Sequence, residues 1–317
     1  MDFSGFLGNT DLKQRLSTAF RTKKTSHCYL LCGPDGSGKH TLAAILSAAL
    51  QCEEANAPCH RCGACRKVLN GTHPDVVTVD DPEKKTISVD LIRRLQTDAF
   101  IRPNEGHRKI YLIPRAQDLT ENAQNALLKL MEEPPSYAVF LLLTNNAEKL
   151  LSTVRSRCAE LRLEPVSRQE ALPWLRERHP QQSQESLQAA YLRSGGYLGQ
   201  ATALLQSSLQ LPQTTQFAQT FAAADRYGLT QLLCSMEKLP RETLLDILIQ
   251  WKQLLTDALL ARAGIPSDSH AAALAQQRTA SALASAAQIV QQAMDHCNAN
   301  VGAGHICGWL TVALFTT

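Results

Sequence analysis

The stretch Gly33-Pro34-Asp35-Gly36-Ser37-Gly38-Lys39-His40-Thr41 constrains the fold more than any other in the chain. An apolar run, Cys28 to Cys32, enters it, and a run with helical spacing, Leu42 to Leu50, leaves it. Strand, glycine-rich loop and helix in that order is the context of a phosphate-binding loop. The glycines let backbone N–H groups converge on an anion, the helix N-terminus adds partial positive charge, and Lys39 adds a full one. Gly33, Gly36, Gly38 and Lys39 are therefore the candidate nucleotide-binding residues. A loop that also holds Mg²⁺ needs Ser or Thr directly after its lysine, because that hydroxyl ligates the metal. His40 stands there instead, and Thr41 is a further ~100° around the helix. The cradle is present and the metal clip is missing, so productive binding of ATP and Mg²⁺ is not expected.

The residues around the loop alternate between strand and helix patterns. Asp11 to Arg21 carries Leu12, Leu16 and Phe20 at helical spacing. Asp75 to Asp80 reads as a strand, and Ser88 precedes an amphipathic helix bearing Leu91, Ile92, Leu95 and Phe100. Arg108 to Ile113 reads as a third strand, Asn122 to Glu133 as a helix stopped by Pro134-Pro135, and Ala138 to Leu143 as a fully buried strand. A helix from Ala147 to about Val154 and a short strand from Ala159 to Leu163 follow. This predicts an α/β parallel-sheet domain reaching to about residue 165. Where a phosphate-loop ATPase places acidic residues at the end of its third strand, this chain has Pro114 and Arg115. Asp118 lies beyond the strand end and reads as a helix cap ahead of Glu121. Thr144-Asn145-Asn146, at the C-terminal end of the apolar strand, fits either a γ-phosphate contact or a loop with a cap at Asn145 or Asn146.

Cys52, Cys59, Cys62 and Cys65 follow the loop helix with the spacing C-x6-C-x2-C-x2-C. Four thiols in paired short turns suit tetrahedral Zn²⁺, and a shell closed by four sulfurs leaves no open position for chemistry. A structural zinc knob is the expectation; disulfides are disfavoured because no secretion signal opens the chain. No run approaches the length of a membrane span, so a cytoplasmic protein is expected. The net charge of +3 is too small to argue nucleic-acid binding by itself.

After residue 165 the sequence turns Ala-, Leu- and Gln-rich and loses β patterns. Gln169 to Arg178, Ser186 to Ser194 and Gly199 to Gln206 read as three short helices, punctuated by Gly195 and Gly196. Ser207 to Gln216 reads as a linker. Helices are then predicted over Phe217 to Ala224, Gly228 to Glu237, Arg241 to Ala263, Ser269 to Asn298 and Ile306 to Phe315. Trp251 and Trp309 are read as core or interface anchors, and Cys234, Cys297 and Cys307 as buried thiols.

Four features together resemble the clamp-loader subunits of bacterial DNA polymerase III, proteins of the AAA+ class. They are Glu121 to Pro135 (ENAQNALLKLMEEPP), Ser156-Arg157-Cys158, the four-cysteine insert, and Asn104-Glu105-Gly106 before a Lys-Ile-Tyr-Leu-Ile strand. The motor subunits of that family, gamma or tau, keep an intact phosphate loop and acidic strand end. His40, Pro114 and Arg115 group this chain with the delta-prime kind, which resembles the motors but lacks catalytic residues. The motors' lid arginine also has no counterpart in Gly195 to Ala201. The resemblance covers residues 5–205 well and 210–317 loosely.

On the residues alone, Arg157 is as readily a surface or interdomain salt bridge as anything else. The resemblance implies that it projects into a neighbouring motor's ATP site as an arginine finger. It also implies three domains: an AAA+ domain over 1–165 with the zinc module at 52–65, a helical lid over 166–208, and a helical collar over 209–317. The implied partners are gamma/tau and delta subunits in a hetero-pentamer, and through that complex the sliding clamp and primer-template DNA, in a bacterial cytoplasm at the nucleoid. Two other functions are open to the residues. One is a divergent gamma/tau-type ATPase, which predicts turnover abolished by Lys39→Ala. The other is direct DNA binding through Arg61, Arg66 and Lys67 beside the zinc knob, which predicts a steep salt dependence.

Overall fold

A computed structural model describes residues 1–54, 56–206, 211–265, 269–299 and 301–316. The chain divides into two compact units, one of Met1–Pro173 with Gly195–Gln200, the other of Trp174–Ser194 with Ala201–Thr317.

In the first unit the elements are α1 (Thr10–Arg21), β1 (Cys28–Cys32), α2 (Lys39–Gln51), α3 (Gly63–Leu69), β2 (Val76–Thr78), α4 (Val89–Ala99), β3 (Lys109–Ile113), α5 (Glu121–Glu132), β4 (Ala138–Thr144), α6 (Ser152–Arg155), β5 (Ala159–Arg162) and the start of α7 (Arg168–Arg178). The five strands form one parallel sheet in the order β2-β3-β4-β1-β5. Every residue of β1 and β4 is buried, as in a parallel sheet covered on both faces. The period of two deals the side chains out. Leu30, Tyr111, Phe140 and Leu142 pack on one face with residues of α4 and α5. Tyr29, Leu31, Ile110, Val139 and Leu141 pack on the other with Leu42 and Leu46 of α2. Tyr111 and Phe140 stack with ring centroids 5.5 Å apart.

Local chemistry moved several boundaries. Thr120, not Asp118, caps α5, its side chain accepting from the Ala123 N–H at 3.3 Å. Asp118 instead ends a short 3₁₀ turn, Ala116–Asp118, and approaches Arg115 at 3.6 Å. The helix expected from Ala147 breaks into a 3₁₀ turn, Ala147–Lys149, and α6. Phe100 lies past the end of α4 and is 67% exposed, so it is no part of the buried face.

The second unit is helical: the remainder of α7, α8 (Gln184–Arg193), most of α9 (Leu198–Gln206), α10 (Pro212–Ala222), α11 (Arg226–Met236), α12 (Arg241–Arg262), α13 (Ser269–Gln277), α14 (Ala280–Asn298) and α15 (Ala303–Ala313). Its core centres on Trp251, fully buried and stacked on Phe217 with centroids 4.0 Å apart; Trp309 is partly buried against the same cluster. Asp257, 5% exposed, pairs with Arg193 at 2.8 Å.

The linker expected over Ser207 to Gln216 is only partly described. Residues 207–210 lie outside the described residues, and Pro212 opens α10, where its missing N–H costs nothing. The long helix predicted over Ser269 to Asn298 is two helices, because the Thr279 hydroxyl caps α14 by accepting from the Ala282 N–H at 3.2 Å. Cys297 and Cys307 are buried as expected, whereas Cys234 is exposed.

Candidate functional site

The loop after β1 has the backbone that its glycines predict. Gly36 has φ +75° and Gly38 φ +94°, conformations that residues with a Cβ rarely adopt. The Gly33 N–H donates to the Thr144 carbonyl at 3.1 Å, tying the loop to the end of β4. Lys39 opens α2 and is only 6% exposed. Its ammonium donates to the carbonyls of Gly33 at 2.6 Å and Pro34 at 2.8 Å, with Asp35 at 3.6 Å. Burial lowers its pKa below the ordinary lysine value, and Asp35 acts against that. The Ser37 hydroxyl is buried with no hydrogen-bond partner among the described residues.

A segment that the sequence marks as helix punctuation and as lacking an arginine packs against this loop. Gly199 donates its N–H to the Gly36 carbonyl at 2.9 Å, and Gln200 Nε2 donates to the Asp35 carbonyl at 2.7 Å. Neither glycine tolerates a Cβ here, since one on Gly36 would lie 2.4 Å from the Gln200 nitrogen. Close packing of backbone on backbone thus leaves no room for any side chain at position 199.

The groups that would hold Mg²⁺ are absent from the positions that need them. His40 and Thr41 are both exposed on α2. Pro114 and Arg115 follow β3, and Arg115 does not face the loop at all. Its guanidinium binds Asp80 at 2.6 Å and the carbonyls of Asp81 and Lys84, beyond the end of β2. Donating hydrogen bonds to Asp80 raises its pKa further. Of the two asparagines at the end of β4, one caps the turn that follows and the other reaches the loop. Asn146 is the cap, accepting from the Glu148 N–H at 3.0 Å, while Asn145 Nδ2 reaches Asp35 of the loop at 3.3 Å. The residues present fit an anion cradle better than an Mg–ATP site.

Arg157 sits in the turn between α6 and β5. Its guanidinium donates to Glu132 Oε1 at 2.6 Å and to the Thr153 carbonyl at 2.9 Å. The two side chains of this ion pair are 35% and 50% exposed, so it lies at the surface. Arg155, two residues earlier, makes no ion pair among the described residues.

Cys52, Cys59, Cys62 and Cys65 converge, with their four Sγ atoms all within 4.8 Å of one another. Zn–S bonds of about 2.3 Å in a tetrahedron put sulfurs roughly 3.8 Å apart, and the Cys59–Cys65 separation is 4.0 Å. The N–H of Cys62 points at Cys59 Sγ and that of Cys65 at Cys62 Sγ, as in metal-binding turns. Backbone N–H groups of Arg61 and Cys62 pull the Cys59 thiol down to about 6. This set can hold a tetrahedral metal ion. Lys67, one of the basic residues beside it, is paired with Glu105.

Sequence reasoning missed Asp75. This fully buried carboxylate accepts the backbone N–H groups of Asn104 at 2.6 Å, Glu105 at 2.9 Å and Gly106 at 2.8 Å. Burial pushes its pKa up, but the three N–H groups outweigh burial and hold it below the usual value. Its carboxylate ties three successive backbone N–H groups of the Asn104-Glu105-Gly106 segment to the start of β2.

Comparison with known proteins supports the same assignment. A family model described as "DNA polymerase III, delta subunit" matches residues 8–167, just over half of the chain. DNA polymerase III subunit delta prime of Escherichia coli is 35% identical over 196 residues, 61% of this chain and 58% of the relative. The delta prime subunit of Pseudomonas aeruginosa is 37% identical over 174 residues, 54% and 53% of the two chains. Subunit tau of Bacillus subtilis is 35% identical over 169 residues, 53% of this chain and 30% of the relative. The chain thus spans about half the length, or less, of most curated relatives it matches. Among solved structures, a DNA polymerase III gamma-subunit-related protein from Thermotoga maritima superposes with a TM-score of 0.53 at 17% identity, covering 95% of this chain and 98% of that one. At that identity the match shows the fold alone. With its glycine-rich loop between β1 and α2, its four convergent cysteines and its Ser-Arg-Cys turn, the chain belongs to the family of DNA polymerase III delta subunits, among relatives of the delta prime kind.

Proposed function

We propose that this chain is a delta-prime-like subunit of a DNA polymerase III clamp loader, one that does not hydrolyse ATP itself. It closes a ring with gamma/tau and delta subunits and supplies Arg157 in trans to a neighbouring ATPase, during loading of the sliding clamp on primed DNA in the bacterial cytoplasm. In this reading residues 1–165 form the AAA+ domain, 166–208 the lid and 209–317 the collar that joins subunits. The four-cysteine cluster holds a structural Zn²⁺.

The observation that carries the reading is the state of Arg157. Its guanidinium is at the surface, in the turn before β5, and its carboxylate partner among the described residues, Glu132, is exposed as well. An ion pair of that kind contributes only about 0–1 kcal/mol. A neighbour's phosphoryl oxygens can therefore take the guanidinium at little cost, and arginine fingers contribute roughly 10³–10⁵ in rate. Support for the absence of own hydrolysis comes from Lys39, engaged by its own loop's carbonyls, and from the missing groups at positions 40, 114 and 115.

The test is Arg157→Ala in a loader reconstituted with its motor subunits. The variant should fold normally, and ATP hydrolysis by the complex should fall, by as much as about 10³ at the site that Arg157 completes. Unchanged hydrolysis by an assembled complex would overturn the role.

A further inference from the structure

Two cysteines outside the metal cluster stand side by side. Cys28 opens β1 and Cys158 immediately precedes β5. These strands are parallel neighbours with Tyr29 opposite Ala159, so one step back along both sets Cys28 opposite Cys158. Adjacent strands lie ~4.8 Å apart, inside the ~4.4–6.8 Å Cα separation that a disulfide spans. The two Sγ atoms are already 3.2 Å apart. Cys28 is fully buried, while Cys158 is partly exposed. The pair is therefore asymmetric: Cys28 is sealed in, and Cys158 is the member that reaches the surface.

We propose that Cys28 and Cys158 form an oxidation site, closed by a peroxide into a disulfide that straps the start of β1 to the turn carrying Arg157. In the first step the Cys158 sulfur attacks the peroxide oxygen. An S–O bond forms, the O–O bond breaks, and hydrogen peroxide leaves as water with Cys158 as the sulfenic acid. In the second step the Cys28 sulfur attacks Cys158 Sγ. The S–S bond forms, the S–O bond breaks, and the hydroxyl leaves as a second water with the Cys28 proton. Two thiols lose two electrons and the peroxide gains them.

The surroundings agree with that order of events. The hydrogen-bonding Cys158 neighbour and burial hold the Cys28 thiol well above its usual pKa, which makes it a poor target for oxidants in solution. Contact with the sulfenic sulfur offsets that weakness in the second step, because the reacting atoms are held together.

Closure also has a local consequence. The Cys158 thiol donates to the Val154 carbonyl at 3.3 Å, and a disulfide has no S–H to donate. The same carbonyl receives the Arg157 N–H at 3.2 Å. Drawing Cys158 Sγ in to about 2.05 Å from Cys28 thus pulls on the backbone that sets where Arg157 points.

The experiment uses the full chain, exposed to graded hydrogen peroxide, alkylated, digested with trypsin without reductant and mapped by mass spectrometry. Expected is a linked pair of peptides, Thr25 to Lys39 with Cys158 to Arg162, two hydrogens lighter than their sum, abolished by dithiothreitol, with fragment spectra assigning Cys28 rather than Cys32. In Cys28→Ser the sulfenic acid at Cys158 should persist, and its capture by dimedone should rise severalfold over the unmodified chain. In Cys158→Ser, Cys28 should stay reduced at the same dose. Crosslinks among the four metal-cluster cysteines fall in other peptides and do not confuse the result. Failure of the 28–158 link to form in the folded wild-type chain, at doses that oxidise the exposed Cys234, would overturn the proposal whatever the variants do.

Discussion

Gly36 and Gly199 touch through bare backbone: the Gly199 N–H donates to the Gly36 carbonyl at 2.9 Å, and a Cβ on Gly199 would lie 2.6 Å from Gly36 Cα. The loop that names the fold is thus packed against a second glycine segment, so neither can change alone. Gly199→Ala forces the backbones apart, and overpacking of this kind costs about 1–3 kcal/mol. Gly36→Ala should cost more, because it adds an unfavourable positive φ to the clash. Thermal unfolding of both variants checks the ranking, and unchanged midpoints would mean that the contact does not exist in solution.

Asp75→Asn removes the carboxylate that holds three backbone N–H groups. Hydrogen bonds to a charged group contribute about 1.5–3 kcal/mol, so the variant should lose a comparable amount at neutral pH. The folded-state pKa of Asp75 is depressed, so its contribution is fully present above the unfolded value of ~3.9 and is lost as pH falls through the folded value. Denaturant titrations at several pH values should show the gap between wild type and variant narrowing below about pH 4. A gap that is constant with pH would assign the loss to packing and not to charge.

Removing a sulfur from the cysteine cluster tests the metal. The wild-type chain, purified reduced, should carry one zinc, and Cys59→Ser should carry little. Chelation should also loosen the small core that Cys65 forms with Ala48 and Val68. Elemental analysis checks the first statement and protease sensitivity of residues 52–69 the second. A metal-free wild-type chain that resists proteolysis there would contradict both.

The sheet, the phosphate loop and the four-cysteine cluster were legible in the sequence because each rests on local pattern: continuous apolar runs, positive-φ glycines, and paired thiols. What escaped depends on residues far apart in the chain. Asp75 meets Asn104 to Gly106 only after β2 and β3 pair. Arg115 stands at the strand end where a phosphate-loop ATPase has acidic residues, and only the folded chain shows that Asp80 draws its side chain away from the loop. Glu132 reaches Arg157 across twenty-five positions. In the helical unit, Ala-rich sequence on both sides of Gln276 to Thr279 concealed a cap, since the Thr279 hydroxyl starts a new helix there with no glycine or proline to mark it.

In the proposed role, a nucleotide-type loop has lost the groups that make it an engine, while Arg157 still serves a neighbour. The most direct measurement is magnesium-dependent release of phosphate from ATP by the purified chain alone, beside Lys39→Ala prepared in the same way. In that role the chain alone shows no turnover above the level of the variant. Sustained turnover by the chain alone, abolished in Lys39→Ala, would contradict it.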